Sequence, residues 1–327
     1  MPSVSASPFS IEGKSVWVAG HRGMVGAALV RRLAKENCRI LTVDHQSLDL
    51  RRQADVEAWM QRFRPQVVYV AAGTVGGILA NSTRPAEFAY DNLMIAANII
   101  HSAHLTQVQK LVYLGSSCMY PRLAEQPVAE EALFAGPVEP TSQWYAEAKI
   151  AGMKLCQAYR RQYSRDFITV IPNNVFGPGD NFDPTQSHVL AALIAKFHAA
   201  KAEGAKAVSL WGTGTPKREF LFAEDLADGL MFLTQRYSEE GPINIGSGAE
   251  VSILELAEAI AKIVGFDGAL EFDTSKPDGA PRKLLDTRKL SALGWRAHTT
   301  LPEGLRKVYA WYRQQALPKP AKAAGVA

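Results

Sequence analysis

The chain has 327 residues, 47% apolar and 21% charged, the composition of a globular protein with a full core and not of a disordered or fibrous one. Its net charge of +4 comes from basic and acidic residues spread along the chain. No basic stripe accompanies an aromatic platform, so nucleic acid is not an expected partner, and a local anion site fits the small surplus. No apolar run approaches the ~20 residues that span a bilayer, and "MPSVSASPFSIEG" lacks the basic start and apolar middle of a signal peptide, so no membrane partner is expected. The three cysteines, Cys38, Cys118 and Cys156, then read as reduced cytoplasmic thiols.

Strands and helices alternate from the start. "SVWVAG" reads as a buried strand and "MVGAALVRRLAKE" as a helix. "RILTVD" is a second strand, "ADVEAWMQRF" a second helix and "QVVYVAA" a third strand. A long helix starts near Pro85, a residue suited to a first turn. "KLVYLGSS" is a fourth strand, "WYAEAKIAGMKLCQAYRRQY" a helix and "FITVIP" a fifth strand. Wholly apolar strands alternating with helices predict an α/β fold: a Rossmann-type, doubly wound parallel sheet covered on both faces. After Pro172 the loops lengthen ("NNVFGPGDNFDPTQSH", "WGTGTPKREF") and short isolated strands follow ("AVSLW", "PINIG", "ALEFD"). The expected division is a disordered end over 1–12 and a dinucleotide-binding domain over 13–172. A smaller, loop-rich substrate lobe over 173–315 sends some segments back to the first domain, and a disordered tail covers 316–327.

Between the first strand and helix, "VAGHRGMVG" places Gly20, Gly23 and Gly26 in the spacing G-x-x-G-x-x-G. Gly20 allows the tight turn, Gly23 lets the backbone approach a pyrophosphate at the helix N-terminus, and Gly26 lets the helix pack on the sheet. Met24 and Val25 share that loop. Ala71, Ala72, Pro172, Asn173, Asn174 and Val175 follow other strand ends and are expected along the same cleft, with Asp49 and Leu50 near the adenine. Asp44, at the end of the second strand, can bond the ribose hydroxyls of NAD(H) and repel the 2′-phosphate of NADP(H). Arg22 can instead meet that phosphate, and His45 adds a donor; both cofactors stay open.

Tyr145 and Lys149 in "WYAEAK" stand four apart and share a helix face. A lysine ammonium is expected to lower the phenol pKa of ~10 and to hold the nicotinamide ribose. Ser116, at the end of the fourth strand, is placed to polarise a substrate carbonyl.

From about Lys14 to about Gln315 the chain resembles the extended short-chain dehydrogenase/reductase family. The residues that carry this are "GHRGMVG", "VGGILAN", "GSSCMYP", "YAEAKIAGMKLC", "GPGDNFDPTQSHV", "WGTGTPKREFL" and "SKPDGAPRKLLD". They are most similar to the branch that epimerises and reduces a GDP-linked 4-keto-6-deoxy sugar. The resemblance implies NADP(H) as cofactor, a GDP-sugar partner, and a homodimer through the Pro85 and Tyr145 helices. It assigns proton exchange with carbon to Cys118 and His188, the latter also near the cofactor, and substrate contacts to Lys196, Trp211, Arg218 and Asp278. Thiols and imidazoles titrate near neutrality, as such exchange requires. Dehydratases of the same superfamily carry an acid after the serine; here Ser117 and Cys118 follow, which disfavours dehydration. Two departures stand out: Thr74 where a lysine is expected, and the acid Asp44. A related keto sugar or heptose as substrate, and a silent nucleotide sensor, are the alternative readings; an intact Ser116, Tyr145 and Lys149 weigh against the sensor.

Overall fold

A computed structural model describes residues 8–183, 187–276 and 278–316. The elements of its first half are β1 (Ser15–Ala19), α1 (Met24–Leu33), β2 (Arg39–Leu41), α2 (Gln53–Phe63), β3 (Val67–Val70), α3 (Ile78–Thr83), α4 (Pro85–Leu105), β4 (Lys110–Leu114), α5 (Gln143–Tyr163) and β5 (Phe167–Pro172). The second half holds β6 (Asn174–Phe176), α6 (Val189–Glu203), β7 (Ala207–Trp211), β8 (Lys217–Phe222), α7 (Ala223–Arg236), β9 (Ile243–Ile245), β10 (Glu250–Ser252), α8 (Ile253–Val264), β11 (Ala269–Asp273), β12 (Arg282–Lys283), α9 (Arg288–Ala292) and α10 (Leu301–Ala316).

Six strands form one parallel sheet in the order β2-β1-β3-β4-β5-β9. Along β1 the side chains alternate between its faces. Val16 and Val18 join Leu29, Tyr69 and Leu230 in one core. Trp17 and Ala19 join Met60, Ile99, Tyr113 and Met153 in the other. Both faces are therefore dry, which is why these strands read as unbroken apolar runs. The chain reverses direction of travel between β1 and β3, and that switch point opens a crevice at the strands' carboxyl ends.

The second lobe has its own core of Phe176, Phe197, Leu210, Phe222, Leu256 and Ile260. In it β8 runs between β10 and β12, β6 pairs with β8, and β7 pairs with β11. "PINIG", which reads as an isolated strand, is instead the sixth strand of the main sheet: Ile243 and Ile245 are fully buried beside Val170 and Pro172. "RILTVD" is shorter than its pattern suggests, because β2 is an edge strand only partly covered. Residues 8–12, expected to be disordered, are ordered: the Phe9 N–H donates to Gln235 O at 3.0 Å and Ile11 is buried in the first core. Apolar side chains close to a core outweigh the usual looseness of a chain end. Residues 1–7 and 317–327, the rest of the expected ends, lie outside the described residues.

One buried carboxylate joins the two lobes. Glu219 on β8 is fully buried. It accepts hydrogen bonds from Asn173 Nδ2 after β5, from the Gly248 N–H at 2.7 Å, and from the Leu285 N–H at 3.1 Å. Its own main-chain carbonyl accepts from Asn174 Nδ2 at 2.9 Å. We expect Glu219→Ala, which strands donors from three segments at roughly 1–3 kcal/mol each, to lower the thermal unfolding midpoint by several degrees or more. Glu219→Gln should recover part of that loss, and an unchanged midpoint in Glu219→Ala would contradict the assignment.

Candidate active site

The glycine loop lies at the switch point. Gly20 has φ +89°, and a Cβ on it would lie 2.6 Å from Ala72 N, so only glycine lets β1 turn this tightly against the end of β3. A Cβ on Gly26 would lie 2.1 Å from Gly20 O, which is how closely α1 is drawn onto the loop. Gly23 caps α1 with extended backbone and no side chain over the first turn. The free N–H groups of Met24, Val25 and their neighbours face an open, side-chain-free cradle, which fits the pyrophosphate of a dinucleotide. Ala71 and Ala72 flank it.

Arg22 and Asp44, the two residues that argue for opposite cofactors, are paired with each other. Arg22 Nε and Nη2 lie 2.7 and 2.8 Å from the two Asp44 oxygens, and His21 Nε2 is 3.3 Å from Oδ1. Asp49 is similarly engaged: Arg51 grips it at 2.9 Å and, with burial opposing, holds its carboxyl at about 2. Arg51 also reaches Asp91 at 3.1 Å, whose other oxygen accepts from the Thr74 hydroxyl at 2.9 Å. Asn173 Nδ2 donates to the Glu219 carboxylate and to Lys283 O, and Asn174 Nδ2 donates to Asn173 Oδ1 and Glu219 O.

At the end of β4 the chain turns sharply. Ser116 caps a short helical turn, its Oγ accepting from the Cys118 N–H at 3.3 Å. Tyr145 and Lys149 project from α5 toward this turn. Lys149 Nζ donates to Leu114 O at 3.0 Å and lies over the rings of Tyr113 and Tyr145, 5.1 and 5.8 Å from their centroids. Here the electrostatics differ from the expectation. Burial pushes the Tyr145 phenol well above its ordinary value, and charge on Cys118 adds to this, while the Ser116 hydroxyl pulls the other way. Burial also brings Lys149 down to about 8. A lysine that is itself desolvated cannot overcome the desolvation of the phenol. The protonated phenol is thus the favoured form of Tyr145.

Cys118 is half-buried. Burial raises its thiol, but the Lys283 ammonium and the hydroxyls of Ser116 and Ser142 outweigh it together and leave the thiol below its usual range. Lys283 Nζ is 3.8 Å from Cys118 Sγ. His188 caps the start of α6 with its surface exposed. Desolvation of its ring by neighbouring protein disfavours the imidazolium, and the Lys283 charge lowers it further. Lys283 and Ser142 were not among the residues singled out from sequence. "SKPDGAPRKLLD" contains the lysine, but nothing in its spacing says that it faces Cys118.

Four further residues line the second lobe. Arg218, on β8, stands opposite Lys283 of β12. A Cβ on Gly279 would lie 2.8 Å from its Nη2, so the guanidinium packs closely against the Gly279 backbone, where a side chain would crowd it. Asp278 accepts from Thr213 N at 2.9 Å and Thr213 Oγ1 at 2.8 Å. Trp211 is 67% exposed at the end of β7, with Lys276 Nζ 5.8 Å from its ring. Lys196 on α6 donates to Ser209 O. A cavity of ≈570 Å³ elsewhere, between His198, Lys201, Ile263 and Tyr309, includes none of the site residues. Among the described residues no group of His, Cys, Asp and Glu is arranged to hold a metal, and no helix is long and apolar enough to cross a membrane.

The Lys149 environment gives a pH signature. Its ammonium is present below about pH 8 and lost above it, so reduction should fall along a one-proton limb above about pH 8. Lys149→Arg, whose guanidinium does not titrate there, should remove the limb from whatever activity it retains. Tyr145→Phe should lower reduction by roughly 10²–10⁴-fold, the range for loss of a positioned acid. A pH–rate profile that stays flat from 7 to ~9.5 in the unsubstituted protein would contradict the role given to Lys149.

The profile of the NAD dependent epimerase/dehydratase family matches residues 16–246. A GDP-L-fucose synthase from Sinorhizobium fredii is 54% identical over 301 residues, which is 92% of this chain and 96% of that protein. Among solved structures, a GDP-L-fucose synthetase from Naegleria fowleri bound to NADP superposes with a TM-score of 0.89 at 29% identity, covering 96% of this chain and 98% of the other. A GDP-6-OMe-4-keto-L-xylo-heptose reductase from C. jejuni gives 0.88 at 36% identity, covering 94% and 100%. With the switch-point cradle and the Ser116, Tyr145 and Lys149 cluster in place, the chain belongs to the NAD dependent epimerase/dehydratase family, in which it is similar to the GDP-L-fucose synthases.

Proposed function

We propose that the protein inverts C3 and C5 of GDP-4-keto-6-deoxy-D-mannose and reduces its C4 ketone, giving GDP-L-fucose. The observation that carries this reading is the acidified Cys118 thiol, set on the same turn as Ser116 and beside Tyr145. A reductase alone needs no such thiol. The 54% identity to a GDP-L-fucose synthase, against 36% to a heptose reductase, favours the fucose substrate over the heptose.

The C4 ketone acidifies the hydrogens on C3 and C5, and Cys118 and His188 exchange protons with these carbons through enolates. Both shifts run toward the base form of the group, the thiolate of Cys118 and the neutral imidazole of His188. Ser116 hydrogen-bonds the C4 oxygen, and Tyr145, kept protonated by burial, donates to it as the ketone becomes an alcohol. Lys149 holds the nicotinamide ribose. When bound, the reduced nicotinamide supplies the hydride. Arg218 and Lys196 neutralise the diphosphate, Trp211 offers a stacking face, and Asp278 accepts bonds from hydroxyls or guanine.

We favour NADP(H) as the cofactor. The pairing with Arg22 takes Asp44 out of service as a free ribose acceptor, which removes the main argument for NAD(H) and sets a guanidinium at the adenosine end. Exposed Tyr90 and Leu93 on α4 support a homodimer through the helices flanking the sheet. The three free thiols support a reducing, cytoplasmic setting.

Incubation with GDP-4-keto-6-deoxy-mannose in deuterated water, with NADPH or NADH, tests the reading. The product is expected to carry deuterium at C3 and C5, and NADPH to be used in preference to NADH. Reduction with solvent deuterium at neither carbon would reject the epimerase half. Cys118→Ser should lower the exchange by roughly 10²-fold or more and leave the reverse of the reduction step, oxidation of GDP-L-fucose by NADP, in place.

A further inference from the structure

Lys283 occupies an unusual position. Among the described residues no carboxylate lies within ion-pair distance of its ammonium, and its side-chain contact is the Cys118 sulfur at 3.8 Å. The side chain is half-buried, where an unpaired charge costs stability. Its backbone is nevertheless held from three directions. Asn173 Nδ2 donates to Lys283 O at 3.3 Å, Leu284 N–H donates to Gln126 Oε1 at 2.8 Å, and Leu285 N–H donates to Glu219. The fold thus fixes the strand that aims this ammonium at the thiol. A neutral thiol is a weak acceptor for it, whereas a thiolate is a full counter-charge.

The other groups facing Cys118 are the hydroxyls of Ser116, on its own turn, and Ser142, at the start of α5, and the phenol of Tyr145 on α5. Lys283 supplies the one cation among them. It is also the charge felt by His188 from across the cleft. A single lysine on β12 therefore acts on both residues assigned to proton exchange.

We infer that Lys283 is a positioning residue of the epimerase half, the counter-charge that holds Cys118 ready as a thiolate and meets His188 with like charge. The inference rests on the epimerase reading above. In the step it supports, the thiolate takes a proton from the substrate carbon and becomes a thiol, and the C–H electron pair passes into the enolate. Lys283 keeps all its N–H bonds throughout.

The test reads the thiol directly, without substrate. Iodoacetamide alkylation of the purified full chain is followed against pH, with Cys118, Cys38 and Cys156 quantified separately by peptide mass spectrometry. Lys283→Met should raise the Cys118 midpoint by about one unit or more, the effect of removing an opposite charge at this distance, and so cut alkylation near neutral pH about tenfold. Lys283→Arg should restore a low midpoint. Buried Cys156 reports on folding; if it becomes reactive in Lys283→Met, the polar Lys283→Gln gives the same reading. An unchanged midpoint in the neutral variants, or a rise in Lys283→Arg equal to that in Lys283→Met, overturns the inference. With substrate, the pH profile of deuterium exchange should move to higher pH by the same amount as the thiol titration. A protein that never turned the sugar over would sink the functional reading, while the thiol titration would still decide the role of Lys283.

Discussion

The join between the two lobes depends on one fully buried carboxylate. Glu219 collects donors from the end of β5, from the Gly248 loop and from the chain after β12. These segments come from the two lobes, and each has polar groups that need partners once water is excluded. Burial pushes the Glu219 carboxyl up in pKa, and the converging donors oppose this. Through Asn173 and Leu285 the same network sets the backbone on either side of Lys283, and β12 in turn is registered against Arg218. The lobe that would grip a nucleotide sugar is thus tied to the sheet that would grip a dinucleotide at the point where their ligands must meet.

Desolvation is the second organising effect, and it acts on neighbours in opposite senses. The Tyr145 phenol is pushed toward its acid form and the Lys149 ammonium is made easier to deprotonate. At Cys118 the same burial is overcome by one cation and two hydroxyls. Three groups within one small site are therefore tuned apart, which lets a ketone reduction that needs a proton donor share a cleft with carbon acids that need a base.

Much of the frame was legible because it obeys short-range rules. Strands buried on both faces must be apolar throughout, so β1, β3, β4 and β5 were readable as runs, and Gly20 and Gly26 mark contacts that no side chain survives. The order of Ser116, Tyr145 and Lys149 was readable because helix periodicity puts the last two on one face. What escaped has a common cause: it depends on which distant segments meet. The pairing of Arg22 with Asp44 turns two opposing cofactor arguments into one ion pair. Ile243–Ile245 is too short to announce itself as a sheet strand. Lys283 lies 165 positions from Cys118 in sequence. The phenol of Tyr145 was expected to be acidified by Lys149, because spacing records proximity and not the loss of water around both groups.

In the proposed function one cleft holds the sugar ring against the reducing and the epimerising groups together. A crystal structure of the protein with NADP and GDP-L-fucose tests it most directly. The C4 hydroxyl is expected within hydrogen-bond distance of Tyr145 and Ser116, with Cys118 and His188 both against the ring and the diphosphate on Arg218. A ring seated against Tyr145 but out of reach of both Cys118 and His188 would contradict it.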